Sequence, residues 1–89
     1  MKIVFSDHGW ADHQHWIAND HTILKRRNAL IEQCRRTPFK GTGKPEPLKG
    51  HLQGWWSRRI SNADRLVYRV AGAGDDQRLE IAQCRFHYE

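Results

Sequence analysis

Two short stretches of this sequence carry groups suited to moving protons. Cys84-Arg85-Phe86-His87-Tyr88-Glu89 brings an imidazole and a phenol together at the end of the chain, and Gly43-Lys44-Pro45-Glu46-Pro47-Leu48 holds a carboxylate between two prolines beside a lysine. Histidine gives and takes protons most readily near neutral pH. RNA can be cut without a metal, because its own 2′-hydroxyl can attack the neighbouring phosphorus. Such a reaction needs a base for the hydroxyl proton, an acid for the departing 5′-oxygen, and cations for charge on the non-bridging oxygens. Glu46 is the candidate base, His87 the candidate acid, and Arg65 the candidate clamp, since guanidinium matches phosphate geometry. Tyr88 is suited to stacking on a base or orienting the phosphate. A glutamate free in water titrates at about 4.3 and is a weak base at neutrality, so this chemistry needs desolvation or surroundings supplied by a bound partner. The ordinary alternatives are a Glu46 paired with Lys44 or Lys49 in a solvated loop, a surface His87, and an Arg65 opening a strand in water.

Several elements must position these groups. Lys2 to Phe5 reads as a strand, Ser6 and Asp7 as helix-capping residues, and residues 8–17 as a first helix with Trp10 and Trp16 as apolar contacts. Asn19 and Asp20 break that helix and can cap a second one. There Ile23, Leu24, Arg27, Leu30, Ile31 and Cys34 follow helical spacing. Arg35 and Arg36 suit its C-terminal dipole, and Thr37-Pro38 ends it. Residues 39–50 are too heavily punctuated by Gly and Pro for a regular element and read as a loop. Residues 55–61 and 65–71 read as strands around an Asn62-Ala63-Asp64 turn, residues 72–76 as a second turn, and residues 79–88 as the last strand.

The expectation is a single domain over residues 1–89 of the α/β (α+β) class. Two helices cover one face of a mainly antiparallel, twisted sheet and leave the other free. Alternation puts Leu66, Tyr68 and Val70 on one face and Arg65, Val67 and Arg69 on the other. It likewise separates Ala82, Cys84 and Phe86 from Gln83, Arg85 and His87. The free face therefore gathers Arg65, Arg69, Arg85 and His87, joined by Trp55, Ser57 and Arg59, while Trp56 and Ile60 go to the core. A basic, aromatic-edged sheet surface suits single-stranded RNA.

Composition agrees with a polyanionic partner. The 89 residues include 15 Lys plus Arg against 10 Asp plus Glu, a formal net charge of +5, which favours nucleic acid, an anionic membrane surface or an acidic protein. Cys34 and Cys84 form neither a disulfide framework nor a metal-type pair and read as buried, reduced thiols. The opening residues are too short for a signal peptide and no apolar run is long enough to span a membrane, so a cytoplasmic location is expected. His8, Asp12 and His15 fall at helical spacing, but without a His-Glu-x-x-His pattern a polar helix surface is the simpler account, and no metal or cofactor is expected.

Most of the chain resembles the YoeB toxins of the RelE-like superfamily of bacterial type II toxin–antitoxin systems. The resemblance lies in Arg35-Arg36-Thr37-Pro38-Phe39, Gly41, Gly43-Lys44-Pro45-Glu46-Pro47-Leu48-Lys49, Gly54, Trp56-Ser57-Arg58-Arg59-Ile60, Arg65-Leu66-Val67-Tyr68, Cys84-Arg85 and His87-Tyr88. It implies a RelE-like fold and an mRNA endonuclease that enters the ribosomal A site, cuts the message and so inhibits translation. The family pattern matches Glu46 to the general base, His87 to the general acid, Arg65 to the phosphate-stabilising arginine and Tyr88 to the terminal tyrosine. Lys49 and Arg59 match basic positions nearby, and Lys44, Arg69 and Arg85 complete the expected RNA-binding set. The implied partners are a YefM-like antitoxin of the Phd family, the 70S ribosome with its mRNA, a second copy of the chain, and operator DNA reached through the antitoxin. The sequence departs from the pattern at Phe86, where a tyrosine is common, at Ala63-Asp64 before Arg65, and at Glu89 beyond Tyr88. The rival expectation is a non-catalytic basic module that binds RNA or the ribosome without using Glu46.

Overall fold

The computed structural model describes residues 1–87. Strand β1 (Lys2–Phe5) leads into helix α1 (Asp7–Asn19) and helix α2 (His21–Arg36), followed by β2 (Glu46–Pro47), β3 (Trp56–Arg59), β4 (Arg65–Ala71) and β5 (Arg78–Gln83). Local chemistry accounts for the helix ends. The Ser6 hydroxyl accepts from the Gly9 amide and opens α1, while the Asp20 carboxylate accepts from the Ile23 amide and opens α2.

The five strands form one sheet in the order β1-β5-β4-β3-β2. All neighbours run antiparallel except β1, which pairs in parallel with β5. A parallel partner needs a crossover, and the two helices supply it. Their apolar sides close over Ile60, Leu66, Tyr68, Leu79 and Ile81 through Trp16, Leu30, Ile31 and Cys34. Trp10, by contrast, stays half exposed.

Three sequence expectations need correction. Residues 39–50 contain the short edge strand β2, with Glu46 opposite Ser57 and Pro47 opposite Trp56, and then a 3-10 turn at Gly50–Leu52. A proline can occupy an edge because its missing N–H is needed only by a further strand. The last strand stops at Gln83, and Phe86 adopts a positive φ of 63° with its side chain exposed rather than on the core face. Finally, the second sheet face is not wholly free, since Ser57 and Val67 on it are buried.

A bulge reconciles the buried residues of β5. Tyr68 faces Ile81, but Val67 faces Gln83, so Ala82 is the extra residue. Leu79 and Ile81 point to the core before the bulge, and Cys84 points there after it. Helix α1 fixes that shift. The Asp12 carboxylate accepts from the Cys84 amide at 3.0 Å, and the Trp16 indole donates to the Cys84 carbonyl at 2.7 Å.

Arg27, on the α2 stripe, is fully buried beneath Phe5 and donates to His13 Nδ1 at 2.6 Å. Guanidinium has no lone pair to offer, so His13 must accept as neutral imidazole with its proton on Nε2. Burial, and then the Arg27 charge, push the His13 pKa below its ordinary value of 6.5. As pH falls, the unfolded chain takes up this proton before the folded one. His13 thus supports the fold fully above about pH 6.5 and progressively less below it. Denaturation midpoints measured from pH 7.5 to 5 should decline toward acid, and His13→Gln should flatten the decline.

Candidate active site

A cleft of about 200 Å³ opens beside β2, β3 and β4, lined by Gly43, Lys44, Glu46, Ser57, Arg59, Arg65 and His87. The strand register explains the convergence. Glu46, Ser57 and Val67 lie on one rung across β2, β3 and β4, and Arg59 and Arg65 pair two residues further along β3 and β4. Opposed residues project from the same face, and alternate residues share it, so the carboxylate and both guanidinium groups belong to one side of the sheet.

The loop carrying Lys44 and Glu46 is shaped by contacts behind the cleft. Gly43 has φ of 87°, and its carbonyl accepts from the Arg59 amide at 2.7 Å. A Cβ at this position would sit 3.1 Å from the Arg59 carbonyl oxygen and 3.2 Å from Arg58 Cβ, so only glycine lets the loop press so closely on β3. Upstream, Arg58 is fully buried and gathers the loop from inside. Its guanidinium donates to the carbonyls of Thr37, Lys40 and Thr42, to the Gln33 side chain and to the Tyr68 hydroxyl. Tyr68 in turn donates to the Pro38 carbonyl at 2.6 Å, and burial pushes its phenol up to about 12.

Arg65 and His87 are held from the opposite side. Arg65 Nη1 donates to the Ser61 carbonyl at 2.7 Å and the Asp64 carbonyl at 3.0 Å. The Arg65 amide donates to the Phe86 carbonyl at 3.0 Å, which draws the segment before His87 alongside β4.

The expected site residues therefore divide. Lys44, Glu46, Arg59, Arg65 and His87 line one cleft. Lys49 precedes the 3-10 turn outside it. Arg69 pairs with Glu80 and lies 4.4 Å over the Trp55 ring, while Arg85 lies 4.2 Å over the Phe86 ring. Tyr88 falls outside the described residues. Arg58 and Asp64 organise the site, although the sequence assigns a role to neither: Arg58 stands only within the family-like Trp56-Ser57-Arg58-Arg59-Ile60 block, and Asp64 only in a turn that departs from the family pattern.

Elsewhere, no group of three His, Cys, Asp or Glu among the described residues could hold a metal ion. His8 and Asp12 meet at 3.6 Å, but His15 is engaged by the Asn19 side chain instead. Cys34 and Cys84 are free and buried, and burial pushes the Cys84 thiol up to about 11, far from a reactive thiolate. No helix among the described residues is long and apolar enough to cross a membrane.

Two helices over one face of a mixed five-stranded sheet is an arrangement this chain shares with a solved bacterial toxin structure. The YafQ structure from Escherichia coli shares that fold with a TM-score of 0.71 over 97% of this chain and 92% of its own, at 18% identity. Sequence narrows the assignment: the chain belongs to the YoeB-like toxins of bacterial type II toxin–antitoxin systems, a family matched over residues 5–88. It is 54% identical to toxin YoeB of Streptomyces coelicolor over 99% of this chain and 100% of that protein. Toxin YoeB of Escherichia coli K12 is 51% identical over the same shares. Among solved structures, a YoeB/ParE toxin from Agrobacterium tumefaciens matches with a TM-score of 0.95 and 52% identity, covering 99% of this chain and 100% of that one. The YoeB–YefM complex and the YoeB dimer of Staphylococcus aureus each match at 0.86 and 38% identity, covering 99% of this chain and 98% of theirs.

Proposed function

We propose that this toxin is an mRNA endonuclease that works in the ribosomal A site and cuts the message by metal-free acid–base chemistry. The observation that carries the proposal is the single cleft shared by Glu46, Arg65 and His87, flanked by Lys44 and Arg59. Glu46 takes the proton of the 2′-hydroxyl, whose oxygen attacks the adjacent phosphorus. Arg65, with Lys44 and Arg59, balances charge growing on the non-bridging oxygens. The bond to the 5′-oxygen breaks as His87 protonates it, leaving a 2′,3′-cyclic phosphate and a 5′-hydroxyl. Tyr88 stacks on a base or orients the phosphate, and Lys49, Arg69 and Arg85 contact RNA beyond the cleft. The ribosome supplies surroundings in which Glu46 works as a base.

The family supports a matching regulatory setting. The solved YoeB–YefM complex supports a YefM-like antitoxin as inhibitor, and the YoeB dimer supports self-association. Operator DNA is then contacted through the antitoxin, and the toxin acts in the bacterial cytoplasm.

Mapping mRNA ends in a translation reaction tests the proposal. The wild-type protein should create new 5′-hydroxyl ends in ribosome-bound message, and a single 2′-deoxy substitution at the cut nucleotide should abolish them, because the nucleophile belongs to the substrate. Cleavage should persist in chelator once the ribosomes' own magnesium requirement is met. Cleavage that survives the deoxy substitution would overturn the mechanism. A non-catalytic binder would produce no new ends and would depend on Lys49 or Arg59 but not on Glu46.

A further inference from the structure

The turn at residues 60–64 has a second task. We infer that Asp64 is a positioning residue that sets His87 in the cleft through the backbone of Phe86. This inference rests on the cleavage reading above.

Asp64 is nearly buried, and its two carboxylate oxygens have separate partners. Oδ1 accepts from the Phe86 amide at 2.7 Å, and Oδ2 accepts from the Ser61 hydroxyl at 2.8 Å. Ser61 Oγ in turn accepts from the Asp64 amide at 3.1 Å, which closes the turn on itself. Phe86 is gripped at both ends of its backbone, because its carbonyl also accepts from the Arg65 amide at 3.0 Å.

The grip matters because Phe86 has a φ of 63°, in the left-handed region that residues with a Cβ avoid. The side chain does not explain that conformation, since Phe86 is 58% exposed and meets Arg85 rather than the core. A backbone held in a disfavoured conformation needs surroundings that over-determine it. Here those are the two hydrogen bonds, one of them strengthened by the carboxylate charge. Releasing the Asp64 bond lets Phe86 relax toward negative φ and swings the next residue, His87, away from the cleft. The same turn aims Arg65 through the carbonyls of Ser61 and Asp64. One short segment therefore registers the acid against the phosphate clamp.

The test compares Asp64→Ala and Asp64→Asn with wild type. Exchange of the Phe86 amide is followed by NMR, with the Leu66 amide as a reference, and single-turnover cleavage of ribosome-bound mRNA is measured beside it. In Asp64→Ala, Phe86 exchange should accelerate at least about tenfold with Leu66 still protected, since a lost hydrogen bond frees a terminal segment before the sheet. Single-turnover cleavage should fall roughly tenfold or more, with half-saturation changed less than about twofold, as expected for a misplaced acid. Asp64→Asn keeps an oxygen for the Phe86 amide and should retain cleavage within about threefold of wild type. Unchanged Phe86 exchange in Asp64→Ala, or wild-type cleavage by it, would overturn the inference. So would equal loss in the Asn and Ala variants. If Asp64→Ala exposes Leu66 as well, Asp64→Leu, close to the carboxylate in shape but without an acceptor, carries the comparison: selective Phe86 exchange supports the latch and unchanged exchange overturns it. Should the wild-type protein not cleave, the cleavage reading fails, while Phe86 exchange still decides whether Asp64 holds the segment.

Discussion

Glu46→Ala and His87→Ala are each expected to lower single-turnover cleavage by about 10²- to 10⁴-fold, the usual worth of a positioned base or acid. Growth inhibition on expression should disappear with it. The fold should survive both changes. Glu46 is exposed on the short edge strand β2, whose pairing with β3 runs through the backbone. His87 follows the last strand and lies outside the core cluster. Thermal melting of both variants should therefore stay close to wild type. The double variant should lose little more than either single one, because a base and an acid that act as a unit in one displacement are not additive. Toxicity equal to wild type in both single variants would count decisively against the acid–base mechanism.

Arg58→Ala should produce the largest stability loss in the molecule. The change leaves the carbonyls of Thr37, Lys40 and Thr42 without their inner donor, and it takes one donor from the Gln33 side chain and the Tyr68 hydroxyl, which keep their bonds to Thr42 and Pro38. A buried polar group left unpaired costs about 1–3 kcal/mol, and several are affected here, so a loss of about 3 kcal/mol or more is expected. That is a large share of the stability of any small domain. Urea denaturation should show it, with amide exchange accelerated first in residues 37–44. Arg58→Lys should recover little, because one ammonium cannot reproduce a planar fork that reaches five acceptors. Normal stability in Arg58→Ala would mean that the loop is held by other contacts.

Much of the scaffold was legible because its signals are local. The caps at Ser6 and Asp20, the stripe from Ile23 to Cys34 and the alternation in β4 each act within a few residues. Elements defined by distant partners were not. Strand β2 exists only because Glu46 and Pro47 meet Ser57 and Trp56, and the β5 bulge depends on Asp12 and Trp16 holding Cys84 from α1. The role of Arg58 is not legible, because a charged side chain reads as surface until its acceptors are known. Asp64 looked like an ordinary turn residue because its partner, Phe86, lies 22 positions away.

The candidate site shows the same boundary. Chemistry singles out Glu46 within its loop, chemistry and sheet face single out Arg65 and His87, and the three line one cleft. Arg69 and Arg85 follow from charge and alternation alone. Neither rule anticipates that Glu80 and Trp55 engage the first or that the Phe86 ring engages the second.

The parallel seam between β1 and β5 bears on biogenesis. Strand β1 finds its neighbour only when β5 has been made, and β5 must settle between β1 and β4 before the sheet is continuous. Long-range closure of this kind comes late in assembly. A nascent chain ending before residue 78 therefore has a carboxylate and guanidinium groups but neither a finished platform nor the imidazole. On the proposed mechanism, a growing chain cannot cleave until β5 and His87 have both been made.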